Sequence, residues 1–572
     1  MACFTCGNRI AACLGNRFDV SVVEMAAKDM NEKKTTDPAT SSDKNDTTQA
    51  SPSSLDLQKA LVEAEKERFI DRDPMDSNVY RFAHDRVQQA AYCLISAEVA
   101  EGGTITTESL DMQEEGPIEV TEDHVEYHYH LGTVLTRLYD TSSDNDKVDW
   151  HLLVGTEQLN RAKGRIVSDP KARLELIKKN LSSAQEVRKK SAFFPAVQYL
   201  LAGVDLLGKD RWEEQYDLTL EISSMLSEME FCTGHMAESA AYADEILQHS
   251  KSVEDRLASY KTKVKVLAAS SKHAENLAYS SQIAKSLQYK LRKFTFFQMI
   301  LSVMATKKAL KKFSNDDILK LKMNTSKIDN ALVDLLVDAH SSAIYDNNVP
   351  ANVVIATHLL ELTLKRGHTK HSPLIFGLWA ITLNVLGDYQ EANNYTKLSK
   401  QLFDIMMARP EMEQSMIEGE CVYKLVLANF IGHFYNPLPE GQGILMQAYK
   451  SGMETGDITF ALLSAFVGLK SRFWCGNPLE ALIVDWKIIR QEMIDYKTLS
   501  SLVGTACFLQ MATNLSKPCD KPSILEGDFI PDLKAFSEEA EAKYPGQSTF
   551  SSAFVHVCVC ACDMILRLVY IF

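Results

Sequence analysis

Apolar positions beyond residue 130 recur with the period of a helix. Leu218, Ile222, Met225, Leu226 and Met229 fall at i, i+4, i+7, i+8 and i+11, and Ile328, Leu332, Leu335, Leu336 and Ala339 repeat that spacing. Such a stripe buries one face of a 3.6-residue helix and leaves the other to water. No alternating strands with hairpin turns follow residue 130, so a βαβ arrangement has no support. The helices share a punctuation: a small residue at a turn, then another five positions later, in Ser191/Ala196, Gly234/Ser239, Gly387/Ala392 and Gly476/Ala481. Twelve positions before each second member stand Ala184, Ser227, Ala380 and Leu469. Small side chains at that spacing let the two helices of a hairpin approach closely. Intervals of 43, 153 and 89 between the second members are close to multiples of about 40. The pattern predicts a tetratricopeptide-like α-solenoid, with Phe376 through Ser399 as its clearest copy.

Two segments break the pattern. Lys28 to Ser54 is polar and of low complexity, with too little to bury to offset the entropy of ordering. Ala97 to Glu126 carries ten acids and no Lys or Arg, and reads as a solvated acidic linker. With a weaker break near 517–522, the expected organisation is an N-terminal unit over 1–96, a linker over 97–126, repeats over 127–515 and a C-terminal linker and tail over 516–572. Phe294–Ala305, between Lys293 and Lys307, reads as a buried helix. Ala553 to Phe572 is apolar, but Asp563 and Arg567 oppose a membrane span.

Composition narrows the function. A formal net charge of −15 argues against nucleic acid, whose phosphates need clustered Lys and Arg. The 12 Cys are mostly scattered, and no signal peptide precedes them. Reduced thiols in a cytoplasmic protein are expected.

Before the repeats stands RFAHDRVQQAAYCLI at 81–95. Val79–Phe82 reads as a short strand, and Asp85 with Gln88 forms a capping box for the helix that follows. AACLGNRFDV (11–20) and LQKALVEAEKERFI (57–70) read as two more helices, which makes a winged-helix-like unit. These strings, with NLSSAQEVRKKSAFFPAVQYLLAGVDLL (180–207) and MQAYKSGMETGDITFA (446–461), resemble the large signalling ATPases fused to serine/threonine-kinase and histidine-kinase modules. In that family an AAA/STAND-type NTPase domain precedes a winged helix and a long helical-repeat region. The resemblance implies an all-α chain, with a winged-helix-like unit followed by the repeat array. The NTPase core and the kinase modules have no counterpart here. The expected function is therefore a non-catalytic, protein-interacting regulatory arm, with protein or peptide partners, an NTPase or kinase module among them, and no cofactor. The alternative is an ATP-binding signalling ATPase or kinase whose nucleotide site is unrecognised or lies outside the chain. His84 reads first as a structural residue that opens the helix; by the same resemblance it is a nucleotide-sensing residue, provided that an NTPase domain is supplied.

Other motifs read as structure. Gly203, Gly208 and Lys209 have phosphate-loop spacing, but Asp210 stands where the Mg²⁺-binding hydroxyl belongs, and the string continues a helix. His124, His128 and His130 lack a His-Glu-x-x-His frame and read as a solvated helix start. Cys558, Cys560 and Cys562 would share one side of a strand, and Cys3/Cys6 has no second pair. No catalytic residue or metal ligand is expected.

Overall fold

The computed structural model describes residues 148–498 without a break, together with 10–14, 17–34, 61–66, 70–73, 78–83, 91–92, 121–143, 501–517, 524–543, 557–558 and 560. The chain divides into two compact units, Met1–Glu186 with Gln198–Arg211, and Val187–Val197 with Trp212–Phe572. Among the described residues the architecture is all-α, apart from one small sheet in the first unit.

That sheet has three antiparallel strands in the order β1-β3-β2: β1 (Arg17–Asp19), β2 (Ile70–Arg72) and β3 (Val79–Phe82). Phe18 pairs with Tyr80 and Ile70 with Phe82, which puts these side chains into one core with Val22, Leu131 and Leu135. The strand expected at Val79–Phe82 is present. The expected helix over 11–20 is a short turn of helix at 10–14 followed by β1, because Arg17–Asp19 pairs with β3. Helix α1 (Val20–Lys34) runs seven residues into the segment read as unpacked. Helix α2 (Glu122–Thr141) begins inside the expected acidic linker, where Glu122 and Asp123 favour the positive end of its dipole. It crosses α3 (Asp149–Arg161) where Gly132 meets Gly155. A Cβ on Gly132 would lie 2.8 Å from the Gly155 carbonyl oxygen, so only glycine permits that approach.

Helices α4 (Pro170–Lys189) and α5 (Phe193–Leu207) each contribute to both units. Helical hairpins make up the rest: α6 (Tyr216–Cys232) with α7 (Met236–His249), α8 (Leu257–Ala269) with α9 (His273–Ser286), and, after α10 (Phe296–Leu310), α11 (Lys327–Tyr345) with α12 (Val349–Arg366). Then come α13 (Ser372–Val385) with α14 (Tyr389–Met407), α15 (Glu413–Leu425), α16 (Leu438–Thr455) with α17 (Ile458–Trp474), and α18 (Leu479–Asp495) with α19 (Leu502–Ser516). Helix α20 (Leu533–Lys543) follows.

One device makes most of these hairpins. One or two places beyond the last helical residue stands one with positive φ: Gly234, Ser271, Asn347, Gly387 or Gly456. The next N–H then reaches back to the carbonyl five residues earlier, as from His235 to Glu230 at 2.8 Å and from Asp388 to Leu383 at 2.9 Å. This is the Schellman closure, and its outer residue is already the N-cap of the next helix. A helix-to-helix turn thus takes three residues, or two at Gly456.

The expected small-residue register holds at three of four places. Ala196, Ser239 and Ala392 are buried, and Ser227 and Ser239 exchange hydroxyl-to-carbonyl hydrogen bonds of 2.9 and 2.7 Å. Ala481 is exposed, and its neighbour Leu482 is buried instead. The turn at Gly476 is where the spacing puts it, but α18 starts one step round in register. Helix α10 also departs from expectation. Ser302, Thr306 and Leu310 face the protein, while Phe296, Phe297, Ile300, Leu301 and Met304 are exposed, Phe297 at 68%. Its apolar run has two sides, and only one neighbour, α12, packs extensively against it. Among the described residues no helix is long and apolar enough to cross a membrane.

Candidate functional site

Within the second unit, charged side chains from helices far apart in sequence converge on one space. Lys261 and Lys265 lie four residues apart on α8, and Asp334 and Asp338 lie four apart on the facing helix α11. That spacing puts each pair on one helical face. The start of α13 adds Lys370 and His371, α15 adds Glu418, and the turn before α17 adds Asp457.

Asp334 is the hub. Its carboxylate lies 3.4 Å from Lys261 Nζ and 3.5 Å from Lys370 Nζ, and it accepts the His371 Nε2–H at 2.9 Å. Lys370 also reaches Glu418 at 3.1 Å. Lys265 faces Asp457 at 4.0 Å. Asp457 is an N-cap residue whose side chain makes no capping hydrogen bond, so its carboxylate is left to the lysine.

Burial works against the charge on Asp334, but Lys261, the His371 hydrogen bond and Lys370 outweigh it and hold the carboxyl below the usual carboxylate range. Burial likewise opposes the charge on Lys265; Asp457 and Asp338 overcome it and raise the amine. Asp338 goes the other way. Burial pushes it up to about 6, with Lys265 and Lys261 offsetting only part of the effect and Asp457 and Asp334 adding to it. No ion pair or hydrogen bond engages the Asp338 carboxylate among the described residues. The lining is therefore enclosed by protein yet wetted, since Lys261 is 40% exposed along its side chain, and it presents charges of both signs. Such a surface can recognise an extended polar chain carrying both ammonium and carboxylate groups.

The residues singled out in the sequence lie elsewhere. His84 is outside the described residues, as are Asp85, Gln88, Cys3, Cys6 and Cys562. Gly203 is a buried helical residue, with α5 ending at Leu207 and Gly208 at positive φ. His124, His128 and His130 are buried rather than solvated. Tyr92 donates its hydroxyl to His128 Nε2 at 2.7 Å, the His128 Nδ1–H donates to Gln158 Oε1 at 2.5 Å, and Gln158 donates to the Cys13 carbonyl at 2.8 Å. His124 lies 3.1 Å from the Tyr92 carbonyl, and His130 lies 2.6 Å from Glu126. The His124 and His128 rings tie α2 to Tyr92, which packs on the small N-terminal core. Cys558 and Cys560 are helical, one buried and one exposed, and do not share a face.

Sequence reasoning missed the charged convergence. Its signal was available as two i,i+4 like-charged pairs, Lys261/Lys265 and Asp334/Asp338. A like-charged pair is unfavourable on an isolated helix and calls for a complementary face.

No family model matches the chain. The hybrid signal transduction histidine kinase G of Dictyostelium discoideum is 21% identical over 450 residues, a match that takes in 70% of this chain and 12% of the relative. Among solved structures, a STAND protein with a tetratricopeptide repeat sensor from Pyrococcus horikoshii aligns over 86% of this chain and 63% of its own, at 12% identity and a TM-score of 0.25.

Proposed function

We propose that the chain is a non-catalytic regulatory arm that binds a protein or peptide partner in the charged lining of its second unit and acts on a signalling NTPase or kinase module. The convergence of Lys261, Lys265, Asp334, Asp338, Lys370, Glu418 and Asp457 carries this reading. Among the described residues Asp338 makes no ion pair although two lysines act on it, which leaves a carboxylate for a partner's cation. Helical hairpins stacked in series are suited to the task, because each buries its apolar face on the next and leaves a long polar surface. The likeness to a signal transduction histidine kinase supports a signalling context. The small sheet with its flanking helical turns supports the reading of the N-terminal unit as winged-helix-like; the role of His84 as a nucleotide-sensing histidine rests on the sequence resemblance alone.

A regulatory arm shifts its module only if the partner binds one state better than the other. The test is affinity capture with the full chain and with an Asp338→Lys, Asp457→Lys double variant. Partners retained by the first and lost by the second support the reading; an identical set from both overturns the proposed surface. Binding of ATP·Mg²⁺ at micromolar affinity would favour the enzyme alternative.

A further inference from the structure

The chain of α15 continues through a π-helical turn, Val426–Ile431, before the start of α16. Wider turns of this kind displace side chains from the regular helical rows and occur often at functional sites. Here the turn forms one wall of a cleft of about 440 Å³, lined also by α14, α16 and α17. Its walls are largely apolar, from Leu427, Ile444, Val467 and the Trp474 indole, and Gly441 and Gly432 contribute no side-chain bulk.

Three polar groups of this cleft lack partners. Lys400 and Lys470 both line it, and among the described residues neither amine has an ion pair or hydrogen bond. Other lysines of the unit do, as Lys263 with Asp244 and Lys424 with Glu420 show. The Ser471 hydroxyl, on a residue 6% exposed, has no hydrogen-bond partner. One carboxylate, Glu440, also borders the cleft. Two unpaired cations against one anion, in a chain of net charge −15, mark a local reversal of sign. Lys470 and Trp474 are four residues apart on α17, so amine and indole lie on one face. Burial depresses the Lys470 pKa, the cost of an amine held without a counter-ion.

We propose that this cleft binds a small organic anion: a carboxylate or phosphate-ester head between the Lys400 and Lys470 ammonium groups with Ser471 at hand as a further donor, on a flat apolar body laid against Trp474. The anion supplies the counter-charge that the protein withholds, and the apolar walls set the shape of the body. The Trp474 face and the two ammonium groups together select flat anions over both inorganic phosphate and neutral aromatics. The site is separate from the charged lining described above, and stands or falls independently of it.

The test is calorimetric titration of the full chain with 2-naphthoate, 2-naphthyl phosphate and the neutral 2-naphthalenemethanol. Saturable binding of either anion, with the neutral alcohol weaker by at least about tenfold, is expected. The tighter of the two anions identifies the head group, and either order supports the site. Lys470→Met should weaken the anion by about tenfold or more, and Lys470→Arg should retain most of the affinity. Lys308→Met, on the exposed face of α10, serves as the control and should change nothing. Loss of folding does not confound the result, because removing an unpaired half-buried amine should leave the melting temperature unchanged or raised. No binding of either anion at about 1 mM, equal binding of the neutral alcohol, or an unaffected Lys470→Met variant would each overturn the proposal.

Discussion

Asp338 shows at the scale of one residue how neighbours decide chemistry. Its carboxyl, pushed up to about 6, binds protons in the folded state that it releases when unfolded at pH 4 to 6. Stability from this group is therefore highest below its unfolded pKa and is lost as pH rises through 6. Asp338→Asn should raise stability at pH 7.5 by about 1–2 kcal/mol, discounted for solvent access, and remove that part of the pH slope. Thermal melts of both proteins between pH 4 and 7.5 provide the comparison; equal slopes would mean that the carboxyl titrates normally. Packing has an equally local test. Ala392 is completely buried where α14 crosses α13, so Ala392→Leu should cost about 1–3 kcal/mol. Asn393→Leu, one position round and half-buried, should stay within about 0.5 kcal/mol by denaturant unfolding. Equal losses would put the helix register in error.

Elements depend on their ends. Gln288 closes α9 with φ of 62° and an exposed side chain, in the same turn geometry that Gly234 and Gly387 adopt without steric cost. Gln288→Gly should raise unfolding stability by up to about 1 kcal/mol, since only glycine adopts positive φ freely. A loss instead would mean that the side chain is part of the packing. Helix α10 gives the complementary case. Met304 and Phe297 are 64% and 68% exposed, so Met304→Gln with Phe297→Gln should leave the melting temperature nearly unchanged. A fall of more than about 5 °C would show that this face is covered in solution. Turn chemistry was legible at Ser191, Gly234, Gly387 and Gly476. At Ser271 and Asn347 it was not, because non-glycine residues there are held in the left-handed region by the Schellman hydrogen bonds and the packing of both helices. The pair Gly456/Ala461 follows the same five-residue rule and could have been read.

Across the whole molecule, buried neutral histidines set the acid limit. Burial lowers His340 and His358 to about 4. His358 accepts the Arg292 backbone N–H at Nε2, so its Nδ1–H is left to donate to the Tyr289 hydroxyl, an arrangement that imidazolium cannot keep. The unfolded chain binds these protons first, so stability present above pH 6.5 is lost as pH falls toward 4, by on the order of 1–2 kcal/mol for each ring. Melting temperature should thus fall between pH 6.5 and 4.5, and a flat profile in Asp338→Asn would refute the burial of both rings. The sequence by itself determined the all-α class, the hairpin rhythm and the buried stripes, because helical period, turn glycines and small residues act over a few neighbouring positions. It determined too that Gly203 and Lys209 lie within or beside a helix, since the apolar spacing continues through them. Which face of α10 stays bare, where the α2 histidines find partners, and that Lys265 faces Asp457 were decided only by tertiary structure. Those relations join residues tens to hundreds of positions apart, and a local period records that a face is charged or apolar without recording what lies across from it.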